Sequence, residues 1–165
     1  MATFDSTTPF PTKRYQHLLV PLDGSEMAEV ALPDAASLAV SSNARLTLLH
    51  VVPPALAEIY AAAKAVPADE GDGSLHDAAH NYLDLVRRRL NAMGIEVHNA
   101  VTIGDAADSL VAYASEQGVD LIVMATHGRS GWKRLVLGSV AERVLRVAAQ
   151  PVLLVRAPPA GEERS

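Results

Sequence analysis

The stretch that decides the fold runs from Val119 to Val144, "VDLIVMATHGRSGWKRLVLGSVAERV". Its first eight residues are almost continuously apolar, the pattern of a strand covered on both faces by helices in a parallel sheet. Gly128, Gly131 and Gly138 follow, interleaved with Arg129, Lys133 and Arg134, and the chain then passes straight into a helix pattern. A buried strand, a glycine-rich loop and a helix amino terminus in succession can hold an anion, because the first helical turn presents N–H groups with no intrahelical partner.

The same grammar extends outward. "HLLVPLDGSE" reads as a short buried strand, His17 to Pro21, that stops at a turn. Ser25 to about Val40 places Met27, Val30, Ala31, Leu38 and Ala39 at helical spacing, with Pro33 expected to kink the helix. "RLTLLHVV" is a second strand. Residues 53–75, with prolines at both ends of the first half and an acidic, glycine-rich second half, read as a long loop with at most one helical turn. "HDAAHNYLDLVRRRLNAMG" is an amphipathic helix with Ala79, Leu83, Val86 and Leu90 on one face and Gly94 placed to end it. "IEVHNAV" alternates as a strand, and "GDAADSLVAYASEQG" is a helix with Asp105 at its N-cap and Gly118 beyond its end. After the opening stretch comes a last short strand, "PVLLV". No segment recurs, so the expectation is a single domain over residues 17–156, with a flexible lead-in at 1–16 and a disordered tail at 157–165.

Strict alternation of strands and helices predicts an α/β fold: an open, doubly wound parallel sheet with right-handed crossovers and helices on both faces. Ligands in such sheets bind beyond the carboxyl ends of strands where the strand order reverses. Two post-strand loops carry unusual chemistry, "PLDGS" after the first strand and "HGRSGWKRLVLG" after the fourth. They share one crevice if those strands are neighbours.

Composition narrows the partners. The 165 residues are 49% apolar, enough for one sizeable core that removes roughly 70% of the unfolded surface from water. A net charge of -5 and only 4% aromatic residues argue against nucleic acid, which calls for cations and stacking platforms. With no cysteine there is no disulfide framework and no thiolate metal site. "MATFDSTTPFPTKRYQ" holds no apolar run of signal-peptide length, and no segment approaches the roughly 20 apolar residues of a membrane span. The expectation is a cytoplasmic protein with no membrane partner.

Within the glycine loop, Ser139 and Glu142 form an S-x-x-E pattern, so Ser139 reads either as the N-cap of a capping box or as a phosphate ligand. Neither G-x-x-x-x-G-K-[ST] nor G-x-G-x-x-G after the first strand is present, which excludes the familiar hydrolase and dinucleotide loops.

Gly128, nine residues, then Gly138-Ser139, following "MATHG" and preceding "VAERVLRVAAQPVLLV", resembles the universal stress protein family. "HLLVPLDGSE", "LTLLHVV", "GDAADSL" and "GVDLIVMATHGRSG" match in the same order, so the resemblance covers His17 to Val155. It implies a five-stranded sheet of order 3-2-1-4-5, in which strands one and four lie side by side. It also implies an ATP site. The G-x-x-G, nine residues, G-[ST] motif carries over to Ala125, Gly128, Gly138 and Ser139, with alanine standing where the family has its first glycine. By the same resemblance Pro21, Leu22 and Asp23 line the adenosine side, Leu46 contacts adenine, Met124 belongs to the site, and Val140 lies beside the phosphates. The nucleotide would bring Mg2+ or Mn2+ on its phosphates. The implied role is a nucleotide-binding stress-response module with little or no hydrolysis; a dimeric interaction protein of the same fold that needs no nucleotide is the alternative. The resemblance further implies a homodimer through the C-terminal strand, residues 152–155, whose open edge can pair with a second chain.

Other candidates carry less. His76 and His80 stand four apart on one helix face, like the two ligands of H-E-x-x-H, but no third ligand is evident, and they read as surface histidines, not a catalytic metal site. His50 and His127 flank the crevice with no nucleophile at a recognisable spacing and no G-x-S-x-G elbow. Trp132 can cover a bound base, pack over the glycine loop or sit in a subunit contact.

Overall fold

The computed structural model describes residues 13–64, 75–126 and 138–156. The elements are β1 (His17–Pro21), α1 (Glu26–Glu29), α2 (Leu32–Ser42), β2 (Arg45–Val52), α3 (Pro54–Lys64), α4 (Leu75–Asn91), β3 (Val97–Ile103), α5 (Ala106–Glu116), β4 (Leu121–Thr126), α6 (Ser139–Val147) and β5 (Val152–Arg156). All five strands are parallel, in the order β3-β2-β1-β4-β5. The expected sheet is therefore present, and β1 and β4 are neighbours through Leu18 with Leu121 and Leu19 with Ile122.

Alternation along each strand divides the core in two. Leu18, Val20, Leu46, Leu48, Val97, Leu121 and Val123 face one side, where α2 and α4 bury Ala35, Ala39, Leu83 and Val86 against them. Leu19, Leu49, Ile122 and Met124 face the other, under Leu110 and Ala114 of α5 and Ala141 and Val144 of α6. The face predicted for α4 is the one buried: Ala79, Leu83, Val86 and Leu90 are all inside. Burying each such leucine or valine stabilises the fold by about 1.5–3 kcal/mol relative to leaving it in water.

Helix ends follow local chemistry. The Asp105 carboxylate accepts from the amides of Ala107 and Asp108, both at 3.1 Å, and caps α5. Gly94 and Gly118 take positive φ, 81° and 64°, where the chain leaves α4 and α5.

Two expectations are corrected. The stretch after β1 is not one helix kinked at Pro33 but two, α1 and α2, parted at Val30–Ala31. Pro33 lies in the first turn of α2, where its missing N–H leaves no bond unmade. The long loop at 53–75 instead begins with α3, whose amino end is secured by amides of Leu56 and Ala57 donating to the Pro53 carbonyl at 3.0 and 3.1 Å. "ALAEIYAAAK" is rich in strong helix formers, and Pro54 at its start is compatible with a first turn. The remainder of that loop, 65–74, the lead-in at 1–12 and the tail at 157–165 lie outside the described residues.

Candidate functional site: the crevice between β1 and β4

The strand order reverses at β1 and β4, since β1 leads outward through β2 to β3 and β4 leads outward to β5. Connections leave in opposite directions there and open a crevice at the carboxyl ends of the two strands.

On the β1 side, Pro21 closes the strand half-buried, and Leu22 is buried with its amide donating to the Leu49 carbonyl at 2.9 Å. Asp23 is exposed at the tip. Its Oδ1 accepts from the amide and hydroxyl of Ser25 at 2.9 and 2.6 Å, while Ser25 Oγ accepts from Ala28 N at 3.1 Å and caps α1. Gly24, with φ 83°, makes this turn possible. Partial burial pushes the Asp23 pKa up, but the hydrogen bonds from the Ser25 hydroxyl and amide outweigh it and hold the carboxyl below its usual range. Asp23 is thus an anion with one oxygen committed to the turn.

His50 lies half-buried near the carboxyl end of β2, edge-on to Tyr82 of α4 with ring centroids 6.5 Å apart. Burial lowers its pKa, opposed by a hydrogen bond to the Leu22 backbone and by Asp23, which favours the neutral imidazole. Its buried Nδ1 has no hydrogen-bond partner among the described residues. Tyr82 donates to Glu29 Oε1 at 3.1 Å, and Arg89 approaches Glu29 at 3.4 Å. Burial and the Glu29 carboxylate raise the Tyr82 pKa well above the ordinary phenol value. These groups form a polar wall beside the crevice.

On the β4 side, Met124 faces α5 and α6 and is 5% exposed, whereas Ala125 faces the opposite side half-buried. Thr126 ends the strand, buried, its hydroxyl without a hydrogen-bond partner among the described residues. Gly138 opens α6, with φ −54° and ψ 151° and no side-chain cap, and the Glu142 amide donates to its carbonyl at 2.9 Å. That corrects the capping-box reading: Ser139 is the first helical residue, so its hydroxyl is not the cap. Ser139 and Val140 are exposed. The amides of this first turn have no intrahelical partner and, among the described residues, no side-chain cap, which is the arrangement that receives an anion. Gly128, Gly131, the basic residues Arg129, Lys133 and Arg134, and also His127 and Trp132 lie outside the described residues.

Pro21, Leu22, Asp23, Ala125, Gly138, Ser139 and Val140 thus all stand at strand ends or helix starts bordering the crevice. Leu46 does not. It pairs with Leu18 at the amino end of the sheet and is fully buried in the α2/α4 core, so adenine cannot reach it. The β2 residues at the carboxyl end are His50, Val51 and Val52, and Val51 is half-buried. Counting from the strand end, not from the start of the apolar run, would have selected Val51. Among the described residues no group of three or more His, Asp or Glu side chains could hold a metal ion, and no helix is long and apolar enough to cross a membrane.

Fold and strand order define a doubly wound α/β protein with a crevice at its topological switch point. The family model for the universal stress protein family matches residues 14–156, and the chain belongs to that family. It is 29% identical to universal stress protein MJ0577 of Methanocaldococcus jannaschii, over 86% of this chain and 95% of that one. It is 31% identical to universal stress protein YxiE of Bacillus subtilis, over 86% of this chain and 99% of the relative. Among solved structures, MJ0577 superposes with a TM-score of 0.72, covering 88% of this chain and 99% of that one. A universal stress protein in complex with cAMP superposes at 0.65 with 26% identity, covering 87% and 98%.

Proposed function

We propose that this universal stress protein binds ATP in the β1/β4 crevice, as a cytoplasmic regulatory module of the stress response. The polyphosphate would lie on the segment from Gly128 to Ser139, and the nucleoside would lie toward Pro21, Leu22 and Asp23. The observation that carries the reading is the uncapped amino terminus of α6 at the switch point, with Ser139 exposed beside it. The cAMP complex of a relative supports a nucleotide as the ligand class. Mg2+ or Mn2+ would arrive on the phosphates. Asp23 and His50 border the crevice, but among the described residues there no base is held by an orienting partner, and on this reading the site serves binding over turnover.

Calorimetric titration with ATP and Mg2+, beside GTP and cAMP, tests the proposal. Saturable ATP binding to the wild type that Gly138→Val abolishes while the variant stays folded supports it, because a branched side chain would block the approach of phosphate to the backbone. An absence of binding at about 1 mM ATP, or equal binding by both proteins, would overturn it. Turnover on the order of 1 per second would mark the protein as an ATPase instead.

We also propose a homodimer through β5. Among the described residues the strand pairs only with β4, leaving its outer edge open, and Leu153 on β5 is 37% exposed. Val140, Leu145 and Val147 of α6 add exposed apolar surface in the adjacent helix.

A further inference from the structure

The first turns of α4 carry a feature that the nucleotide reading does not use. His76 and His80 are one helical turn apart, and their ring centroids lie 4.5 Å from each other with planes inclined at 56°. His76 is exposed and His80 half-buried.

We infer that His76 and His80 form a two-histidine site for a borderline divalent transition ion, of the class of Zn2+, Ni2+ or Cu2+. Imidazole nitrogens at about 2.0–2.1 Å from one ion must sit close together, and rings already adjacent on one helix face need only rotate about their side-chain bonds to converge. The helix amino terminus disfavours a cation, and Asp77 in the same first turn supplies negative charge against it. No third ligand accompanies the pair among the described residues, so water completes the coordination. Such a site exchanges its ion readily and is open to solvent. It neither closes a structural centre nor generates a catalytic one. Cu2+ should bind more tightly than Ni2+ or Zn2+, following the general order for nitrogen ligands. Bridging residue i to residue i+4 would hold the first turn of α4 closed, so the ion acts as a clamp on the start of that helix. This inference rests on the geometry of the two rings and does not use the nucleotide reading.

The test uses the full-length chain freed of nucleotide, titrated with Zn2+ and with Cu2+ by calorimetry in a non-coordinating buffer. One ion should bind per chain. His76→Ala and His80→Ala should each weaken binding by about tenfold or more, as losing one of two ligands must exceed the effect of losing a supporting contact, while His98→Ala leaves it unchanged. Circular dichroism confirms that the variants are folded. A second readout is paramagnetic broadening by Cu2+ in NMR spectra, which should strike the ring signals of His76 and His80 first. No saturable binding by about 1 mM Zn2+, binding that survives both substitutions, or broadening centred on another histidine would overturn the inference.

Discussion

The amide of Glu142 donates to the carbonyl of Gly138 at 2.9 Å, which makes Gly138, and not Ser139, the residue that opens α6. Ser139 is thereby moved one position into the helix, with its hydroxyl exposed and its role as a cap removed. Stability and ligand affinity become separable at this residue.

Ser139→Ala should change unfolding free energy by no more than about 0.5 kcal/mol, the range of exposed substitutions that break no cap. If the hydroxyl bonds a charged phosphate, ATP affinity should fall roughly 10- to 150-fold, equivalent to about 1.5–3 kcal/mol. Urea denaturation alongside calorimetry measures both. A stability loss of about 1 kcal/mol or more with unchanged affinity would restore the capping role.

Leu46 supports the core from the amino end of β2, pairing with Leu18. Leu46→Ala should destabilise the protein by about 2–5 kcal/mol through the cavity it leaves. The folded fraction should bind nucleotide with wild-type affinity. Val51→Ala, a smaller truncation at the other end of the same strand, should show the opposite balance, with affinity affected more than stability. Thermal melts and titrations of the two variants side by side distinguish the positions.

His17 is 5% exposed, with Nε2 2.8 Å from Thr47 Oγ1 and Nδ1 3.2 Å from the Gln117 carbonyl and 3.1 Å from an Arg45 guanidinium nitrogen. Burial, and then the Arg45 charge, lower its pKa, while the Gln117 carbonyl and Asp120 work in the other direction. A base whose pKa is lower in the folded than in the unfolded state takes up its proton first on unfolding. Stability is therefore full above about pH 6.5 and falls as pH drops from there toward the lowered folded value. His50 is shifted in the same direction and adds to the effect. Denaturation curves at pH 7.5 and 5.5 should show the loss, and His17→Gln should make it smaller. An equal loss in the variant would assign the acid sensitivity elsewhere.

Leu153→Lys should shift the protein toward monomer in sedimentation at concentrations where the wild type is dimeric. A lysine on the outer strand opposes edge pairing by charge and by desolvation. An unchanged dimer would place the interface on another surface.

The period of the apolar residues made most of this architecture readable. "LIVMAT", "RLTLLHVV" and "HLLVP" are each too short and too continuously apolar for a surface helix, and the heptad-like spacing in α4 admits only one buried face. Asp105, Gly94 and Gly118 announce helix ends because their conformations are set by their own side chains or lack of one. Less legible were features that depend on competition among neighbours. Pro33 permits either a kink or a first-turn position, and packing of Ala31, Leu32 and Ala35 against the sheet selected the second. α3 was obscured by the prolines before it and the acidic glycine-rich run after it.

By itself the sequence determined the alternation of strands and helices, the two faces of the core, and the loops that carry glycine, serine and aspartate, all of which are local in origin. It could not determine that β1 and β4 are neighbours, because no short-range pattern encodes which strands pair; the implied order came from resemblance. Chain direction along β2 already puts Leu46 at the amino end and Val51 at the carboxyl end, but the register that sets Leu46 beside Leu18 and Val97 comes from pairing with β1 and β3 across many residues of chain. Only the tertiary structure decided that Gly138 takes the extended conformation of the N-cap. The cap position depends on how α6 seats Ala141 and Val144 in the core beside β4, and both Gly138 and Ser139 are chemically able to occupy it.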